Sequence, residues 1–384
     1  MNNQPSAGIY FDHAATSIPR CQAAIMAANA AVNLGNAGRG MYPIATTASQ
    51  IIAQARQAIA SKFKTNNSQN VCFLANTTAA LNQAILGLRP APGCVAIDPL
   101  AHNATYRPLE LLCRNQDTKF WILPHEPTGK IDIESLKTSW KENTDVVIIT
   151  HASNVNGLIQ PVGEIIQIAH DFGAMVIVDA AQTVGAIDVS VLAAADLIAF
   201  GAHKALRGLP GVGTLVVGAG IELEPLIYGG TGGDSAIKFM PEELPQRLEA
   251  GTANLPAIAA LEASIKNNII NQENYLITSA DLADAIQSAG GQLLPRDNLN
   301  SVPVVSFILP EIPLWSAADI LERSFDLQLR TGLHCAPMAH RTLGSFPEGA
   351  LRVSSGCMTT PEDLLYLSRS IHATAKSYRV FGHV

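Results

Sequence analysis

Three residues in this chain have types and settings suited to covalent or charge-storing chemistry: Lys204, Asp179 and Cys335. Lys204 ends Ala199-Phe200-Gly201-Ala202-His203-Lys204, closely following an apolar run that reads as a buried strand and preceding Gly208-Leu209-Pro210-Gly211-Val212-Gly213. An ammonium at the end of a core strand is costly unless it is paired or neutralised. Condensation with a carbonyl compound removes that cost and makes the lysine a covalent catalyst. Asp179 ends the run Val176-Ile177-Val178-Asp179. It therefore sits at the C-terminal edge of a strand, where open α/β sheets bind ligands. A carboxylate there could pair with a pyridinium nitrogen and keep it protonated, or it could cap the following helix. Gln182 follows within one turn and could donate to an oxygen on the same ring.

Cys335 lies in Arg330-Thr331-Gly332-Leu333-His334-Cys335-Ala336, a turn-like stretch that carries a guanidinium and an imidazole. Sulfur nucleophiles act as thiolates, and Arg330 and His334 would favour the thiolate if the fold brings them close. Gly332 and Pro337 suit a turn that presents the thiol. In isolation such a cysteine reads more readily as a structural residue near the surface. A fourth signal is Ala75-Asn76-Thr77-Thr78-Ala79-Ala80-Leu81-Asn82, directly after a strand and opening a helix. Backbone N–H groups at that terminus, with the hydroxyls of Thr77 and Thr78, would make a phosphate site; threonine there is also an ordinary cap.

The elements that must position these groups alternate. Strands are expected at Val71–Leu74, Cys94–Asp98, Lys119–Leu123, Asp145–Thr150, Ala174–Asp179, Leu197–Phe200 and Val212–Val217. Helices are expected between them at Thr78–Leu88, Ala104–Cys113, Ile133–Trp140 and Val162–Phe172. Continuous Val/Ile strands separated by helices imply a mostly parallel sheet covered on both faces. The chain turns glycine-rich near Tyr228–Asp234, then helical at Ala257–Asn268, with a later strand at Val304–Leu309. This divides it into a large domain over 20–255 and a smaller α+β domain made of 1–19 and 256–384.

The 384 residues are 48% apolar and 15% charged, which is globular composition, with net charge -7. No basic block suggests a nucleic-acid partner, and no apolar run approaches a membrane span. Met1 to Gly8 is polar and lacks a secretory apolar region, so a cytoplasmic protein is expected. Six cysteines without a CxxC pair give neither a disulfide framework nor a metal site; Cys72 and Cys94 read as small core residues.

Taken in order, these residues resemble the class V aminotransferase family of fold type I pyridoxal-phosphate (PLP) enzymes. The resemblance runs from Tyr10-Phe11-Asp12-His13-Ala14-Ala15-Thr16 through Ser153-Asn154 and Glu249-Ala250-Gly251-Thr252 to Leu351-Arg352-Val353-Ser354. Within that family, Arg330-Thr-Gly-Leu-His-Cys335 resembles the Arg-x-Gly-x-His-Cys signature of cysteine desulfurases with a short cysteine loop. The resemblance implies an α/β fold whose large domain carries a mostly parallel seven-stranded sheet. It implies Lys204 as the Schiff-base lysine, Asp179 on the pyridine nitrogen, Gln182 on the phenolic oxygen and His102 stacked on the ring. Thr77, Thr78 and His203 would hold the phosphate, Asn154 would lie near cofactor and substrate, and Arg352, with Arg330, would serve the substrate L-cysteine. Thr252 would reach the cofactor of a neighbouring subunit, which implies a homodimer; Cys335 would carry sulfur as a persulfide to an acceptor such as a small carrier protein.

Three positions depart from the pattern. Gly201 stands where many relatives carry a hydroxyl that binds phosphate, so another group or a water must compensate. Leu333 and Tyr42 stand where some carry histidine. The same residues leave room for a selenocysteine lyase, for another class V lyase or aminotransferase, and for a catalytically weak PLP-binding scaffold.

Overall fold

The computed structural model describes residues 8–38, 40–65, 67–233, 236–267 and 276–381. The N-terminal stretch before Gly8, Arg39, Asp234 of the glycine-rich stretch and Asn268 of the expected helix lie outside them. All seven expected strands form, at Val71–Leu74, Cys94–Ile97, Lys119–Ile122, Val146–Thr150, Met175–Asp179, Leu197–Gly201 and Gly213–Val217. They make one sheet. From one edge it runs 71–74, 213–217, 197–201, 175–179, 146–150, 94–97, 119–122. Every pairing is parallel except the two made by Gly213–Val217, which runs antiparallel to both neighbours.

Residue alternation along the strands explains why they read as unbroken apolar runs. Successive side chains point to opposite faces. Val147, Ile149, Val176, Val178, Ile198 and Phe200 enter one core. Val146, Ile148, Ile177, Leu197 and Ala199 enter the other. Both faces are covered, so neither set can be polar. The register aligns Thr150 with Asp179, Asp179 with Ala199 and Gly201 with Gly213, so one sheet edge gathers the residues with polar chemistry.

A second, antiparallel sheet orders Arg330–Gly332, Ala350–Ser354, Val304–Ile308 and Gln292–Leu293. Here alternation separates function from core. Val305, Phe307, Leu351 and Val353 enter an apolar cluster with Phe11, Leu321 and Ile371. Ser306 and Arg352 face the other way and bond to the large sheet's loops: Ser306 Oγ donates to Val155 O at 2.6 Å and Arg352 Nη1 to Asn154 O at 2.9 Å.

The N-terminal segment does more than cover the small sheet. Ile9–Tyr10 pairs with Leu327–Gln328, but from Ala14 onward the chain wraps the lysine loop. Ser17 N donates to His203 O at 2.9 Å and Arg20 Nη1 to the same oxygen at 2.8 Å. We propose the division into 20–255 and 1–19 with 256–384; helix Leu255–Asn267 lies at its seam, packed on Gln22–Ala31 and Pro43–Lys62. Two local readings change. Cys94 is half-buried, because it opens its strand beside Thr144. The helix from Ile133 stops at Thr138, where Ser139 N closes on Ser135 O, and Trp140 stacks on Phe172.

Candidate active site

A cavity of about 120 Å³ opens at the C-terminal edge of the large sheet. Its walls bring together eight of the residues singled out from sequence: Thr77, Thr78, His102, Asn154, Asp179, Gln182, His203 and Lys204. Each arrives by a separate local device. Asp179 is the last residue of its strand, 5% exposed, and its Oδ1 accepts from Ala181 N at 3.0 Å. Burial raises its carboxyl pKa, while the Ala181 N–H and the charge of Lys204 oppose the rise. A buried carboxylate of this kind calls for a cationic partner.

Lys204 sits past the end of the adjacent strand. Burial lowers its ammonium to about 8; Asp179 opposes that, and the charges of Arg352 and Arg330 add to it. His102 caps the helix Asn103–Gln116, its Nδ1 accepting from Ala104 N at 3.0 Å. Burial, followed by the charge of Lys204, depresses its imidazolium to about 3. The ring is therefore neutral, with its single proton on Nε2, and offers a flat uncharged face. His203, lowered to about 4 by burial, is steadied by Thr16, whose Oγ1 lies 3.0 Å from Nδ1.

Thr77 and Thr78 open the helix Thr77–Leu86, capped by Asn76 through its side-chain bond from Ala79 N at 2.9 Å. First-turn N–H groups have no intrahelical acceptor, so this terminus suits an anion. Gly201 is explained here. A Cβ built on it would lie 2.6 Å from Thr77 Oγ1. The Thr77 hydroxyl thus fills the space a side chain at 201 would occupy.

The fit to pyridoxal phosphate rests on atoms left without partners. Thr150 Oγ1 and Asn154 Oδ1 are buried on this cavity's walls with no hydrogen-bond partner. Buried polar atoms are seldom left so. A flat ligand with hydroxyl and phosphate oxygens, a ring nitrogen opposite Asp179 and a carbonyl carbon opposite Lys204 matches this set of groups. Gln182 spends one N–H on Ala14 O at 3.0 Å and keeps a second.

Cys335, Arg330 and Arg352 do not line this cavity; Cys335 and Arg352 are bonded to Asn103 and Asn154 beside it. Cys335 is exposed, and its Sγ takes an N–H from Arg330 Nη2 at 3.2 Å. Its carbonyl accepts from Asn103 N at 2.8 Å, which ties the thiol's backbone to the residue after His102. Gly332, His334 and Cys335 have φ of +102°, +51° and +58°. Two such non-glycine residues in succession need support. It comes from Asn154 Nδ2, which donates to His334 O at 2.8 Å, and from the bond between His334 Nδ1 and His340 Nε2 at 3.0 Å. Thr252 lies elsewhere, exposed beside a separate cleft that it shares with Asn36, Ala37 and Ile227. Its segment is anchored by Glu249, which meets Arg56 in a two-pronged pair at 2.7 and 2.9 Å. Leu333 is half-buried in the cysteine loop, and Tyr42 is exposed at the start of helix Pro43–Lys62.

Sequence reasoning passed over four contributors. Thr150 gave no motif signal. Asp98, fully buried, accepts from Leu100 N and Thr150 N and so shapes the loop before His102. His340 supports His334, and Asp12 is paired with Arg352. Only Asp98 and Asp12 carried a usable hint, as acidic residues beside apolar strand-like runs.

Comparison with known proteins shows the family and the fold. The family model for class-V aminotransferases matches residues 9–367. A probable cysteine desulfurase of Methanothermobacter thermautotrophicus is 32% identical over 353 residues, covering 88% of each chain. A probable cysteine desulfurase of Pyrococcus abyssi is 30% identical over 346 residues, covering 85% of each. Among solved structures, the apo cysteine desulfurase of Thermococcus onnurineus superposes with a TM-score of 0.88 at 26% identity, covering 96% of this chain and 95% of the other.

Proposed function

We propose that this chain, which belongs to the class-V aminotransferase family, is a cysteine desulfurase that converts L-cysteine to L-alanine and takes the sulfur onto Cys335. The observation that carries this reading is the exposed Cys335 thiol, held by Arg330 at 3.2 Å and tied through its backbone to the His102 helix. An aminotransferase or a simple lyase has no use for a nucleophilic sulfur at that place.

The chemistry that pyridoxal phosphate supplies when bound is an electron sink for the substrate's α-carbon. The chain's own residues do the rest. The helix terminus at Thr77 and Thr78, with His203, would hold the phosphate. Asp179 would face the ring nitrogen as its counter-ion, Gln182 the ring oxygen and His102 the ring face. Arg352 would bind the substrate carboxylate through its fork. Lys204, lowered to about 8, is a base matched to neutral pH and would take the α-proton. The Cys335 thiolate then attacks the substrate's Sγ. The new S–S bond forms as the Cβ–S bond breaks with its electron pair left on carbon. Protonation of that carbon, with return of a proton to the α-carbon by Lys204, yields alanine, and Cys335 keeps a persulfide. Arg330 Nη2 donates to the Cys335 Sγ at 3.2 Å and so holds the sulfur in place for this attack.

The exposure of Cys335 supports transfer of the sulfur to a thiol acceptor such as a small carrier protein. A homodimer is supported by exposed apolar residues near the Thr252 cleft, among them Ile227 at 67% and Tyr228 at 64% exposure. Thr252 would then reach the partner's cofactor phosphate. Among the described residues no helix is long and apolar enough to cross a membrane; a cytoplasmic setting is the proposal.

The test is a product assay on the holoenzyme with L-cysteine, L-selenocysteine and L-cystine. Alanine from cysteine, matched by transferred sulfur and without pyruvate, is expected. Pyruvate and sulfide released from cysteine would refute the reading, and alanine from selenocysteine alone would reassign the substrate.

A further inference from the structure

We propose that Asp12 is a stand-in for the substrate's carboxylate on Arg352, holding that guanidinium aligned and giving way when substrate binds. The inference rests on the reading above, that Arg352 receives the substrate carboxylate. Arg352 is 1% exposed and cannot turn to water, so a neighbouring carboxylate stabilises its charge. Its three nitrogens are engaged unequally. Nη1 donates to Asn154 O at 2.9 Å, and Nη2 donates to Asp12 Oδ1. Nε has no partner and is buried.

Nε and Nη2 lie along one edge of the guanidinium, the edge that accepts both oxygens of a carboxylate side-on. Asp12 fills only one of the two places. The remaining donor is buried and unmatched, which is unfavourable until a second oxygen arrives. An incoming carboxylate that used both places would complete what Asp12 leaves half done.

The two partners also differ in where they can go. The Asp12 side chain is 21% exposed against 1% for Arg352. Its backbone is fixed: Asp12 pairs with Ser354, and Asp12 O accepts from Tyr10 Oη at 3.0 Å and from Ala15 N at 3.0 Å. Rotation of the side chain alone can therefore release Arg352 and return the Asp12 carboxylate to solvent. Such an internal competitor lowers apparent affinity by the fraction of molecules in which it occupies the fork.

The variant Asp12→Asn removes the competing charge and keeps the shape. In the holoenzyme, the KM for L-cysteine and the calorimetric Kd for L-alanine should each fall about tenfold, with kcat within about threefold of the parent. Asp12→Glu, which keeps the charge, should show no such gain. A merely structural Asp12 would leave both constants unchanged or raise them in Asp12→Asn, and either result overturns the proposal. If neither Asp12→Asn nor Asp12→Ser purifies folded, Asp12 is an obligatory structural counter-ion and the proposal is equally wrong. Binding of L-alanine is read without turnover, so it reports on Asp12 even if the parent protein fails to make alanine from cysteine, the result that would sink the desulfurase reading instead.

Discussion

Replacing Cys335 with serine lowers alanine formation from L-cysteine by at least about a thousandfold, the scale on which loss of a covalent nucleophile is felt. The hydroxyl of serine is un-ionised near neutral pH and forms no stable bond to sulfur, so sulfur has nowhere to go. The fold should not notice. Cys335 is exposed, and its loop is held by backbone and neighbouring groups: Asn103 N on Cys335 O, Ala336 N on Leu333 O, and the bond between His334 and His340. An exposed, near-isosteric change of this kind stays within about 0.5 kcal/mol in stability. The visible absorption of the bound cofactor should be unchanged, since Cys335 is not on the walls of the cavity. A serine variant that still makes alanine at the parent rate would remove Cys335 from the reaction.

Lys204→Ala carries an expected loss of about ten-thousandfold or more, because one residue serves both as covalent anchor and as base. It should also abolish the visible absorption of lysine-bound cofactor, while Asp179 and the helix terminus at Thr77 retain weaker, non-covalent binding. The pH dependence of cofactor capture by the parent apo-protein identifies the same amine. Burial disfavours the ammonium, so Lys204 loses its proton near 8 instead of 10.5. The neutral amine is the reactive form. Capture should therefore quicken about fivefold from pH 7 to 8 and level off above, where an exposed lysine would keep rising to its own pKa. The sign for stability follows. Between about 8 and 10.5 the unfolded chain holds the Lys204 proton and the folded apo-protein does not. This lysine's contribution therefore makes the apo-fold more stable as pH rises through that window. A capture rate that climbs without levelling near pH 8 would point to another lysine.

Much of the fold was legible because its strands are buried on both faces and so cannot hide in mixed sequence. Val146–Thr150 and Met175–Asp179 are apolar at nearly every position, and each carries a polar residue at the end where the sheet meets the cavity. Helix ends were less legible. The helix after His102 starts at Asn103, one residue before the apolar pattern, because the His102 side chain caps it, and it runs on to Gln116, where Asp117 turns to a left-handed φ of +58°. Nothing local shows that an imidazole does this.

The cavity walls were readable as a set of motifs, but the pairings across the molecule were not. Asp12 and Arg352 are 340 positions apart, and Arg56 and Glu249 are 193 apart. No spacing rule reaches that far; only the docking of the small sheet's polar face on the large sheet's loops makes these pairs. Gly201 shows the same limit. As a sequence feature it reads as a lost hydroxyl. The close approach of Gly213 to Asn76 and Thr77, where an added Cβ would fall 2.6 Å from Thr77 N, brings the helix start against the strand that carries residue 201. The threonine then occupies the gap.

The central claim is that sulfur leaves cysteine onto Cys335, and a single-turnover persulfide trap tests it most directly. Holoenzyme is mixed with one equivalent of L-cysteine in the absence of any thiol acceptor, alkylated and mapped by mass spectrometry across its six cysteines. The account predicts one extra sulfur on the Cys335 peptide, in step with an equal amount of alanine. Alanine formed while the added sulfur sits on another cysteine, or on none, would contradict it.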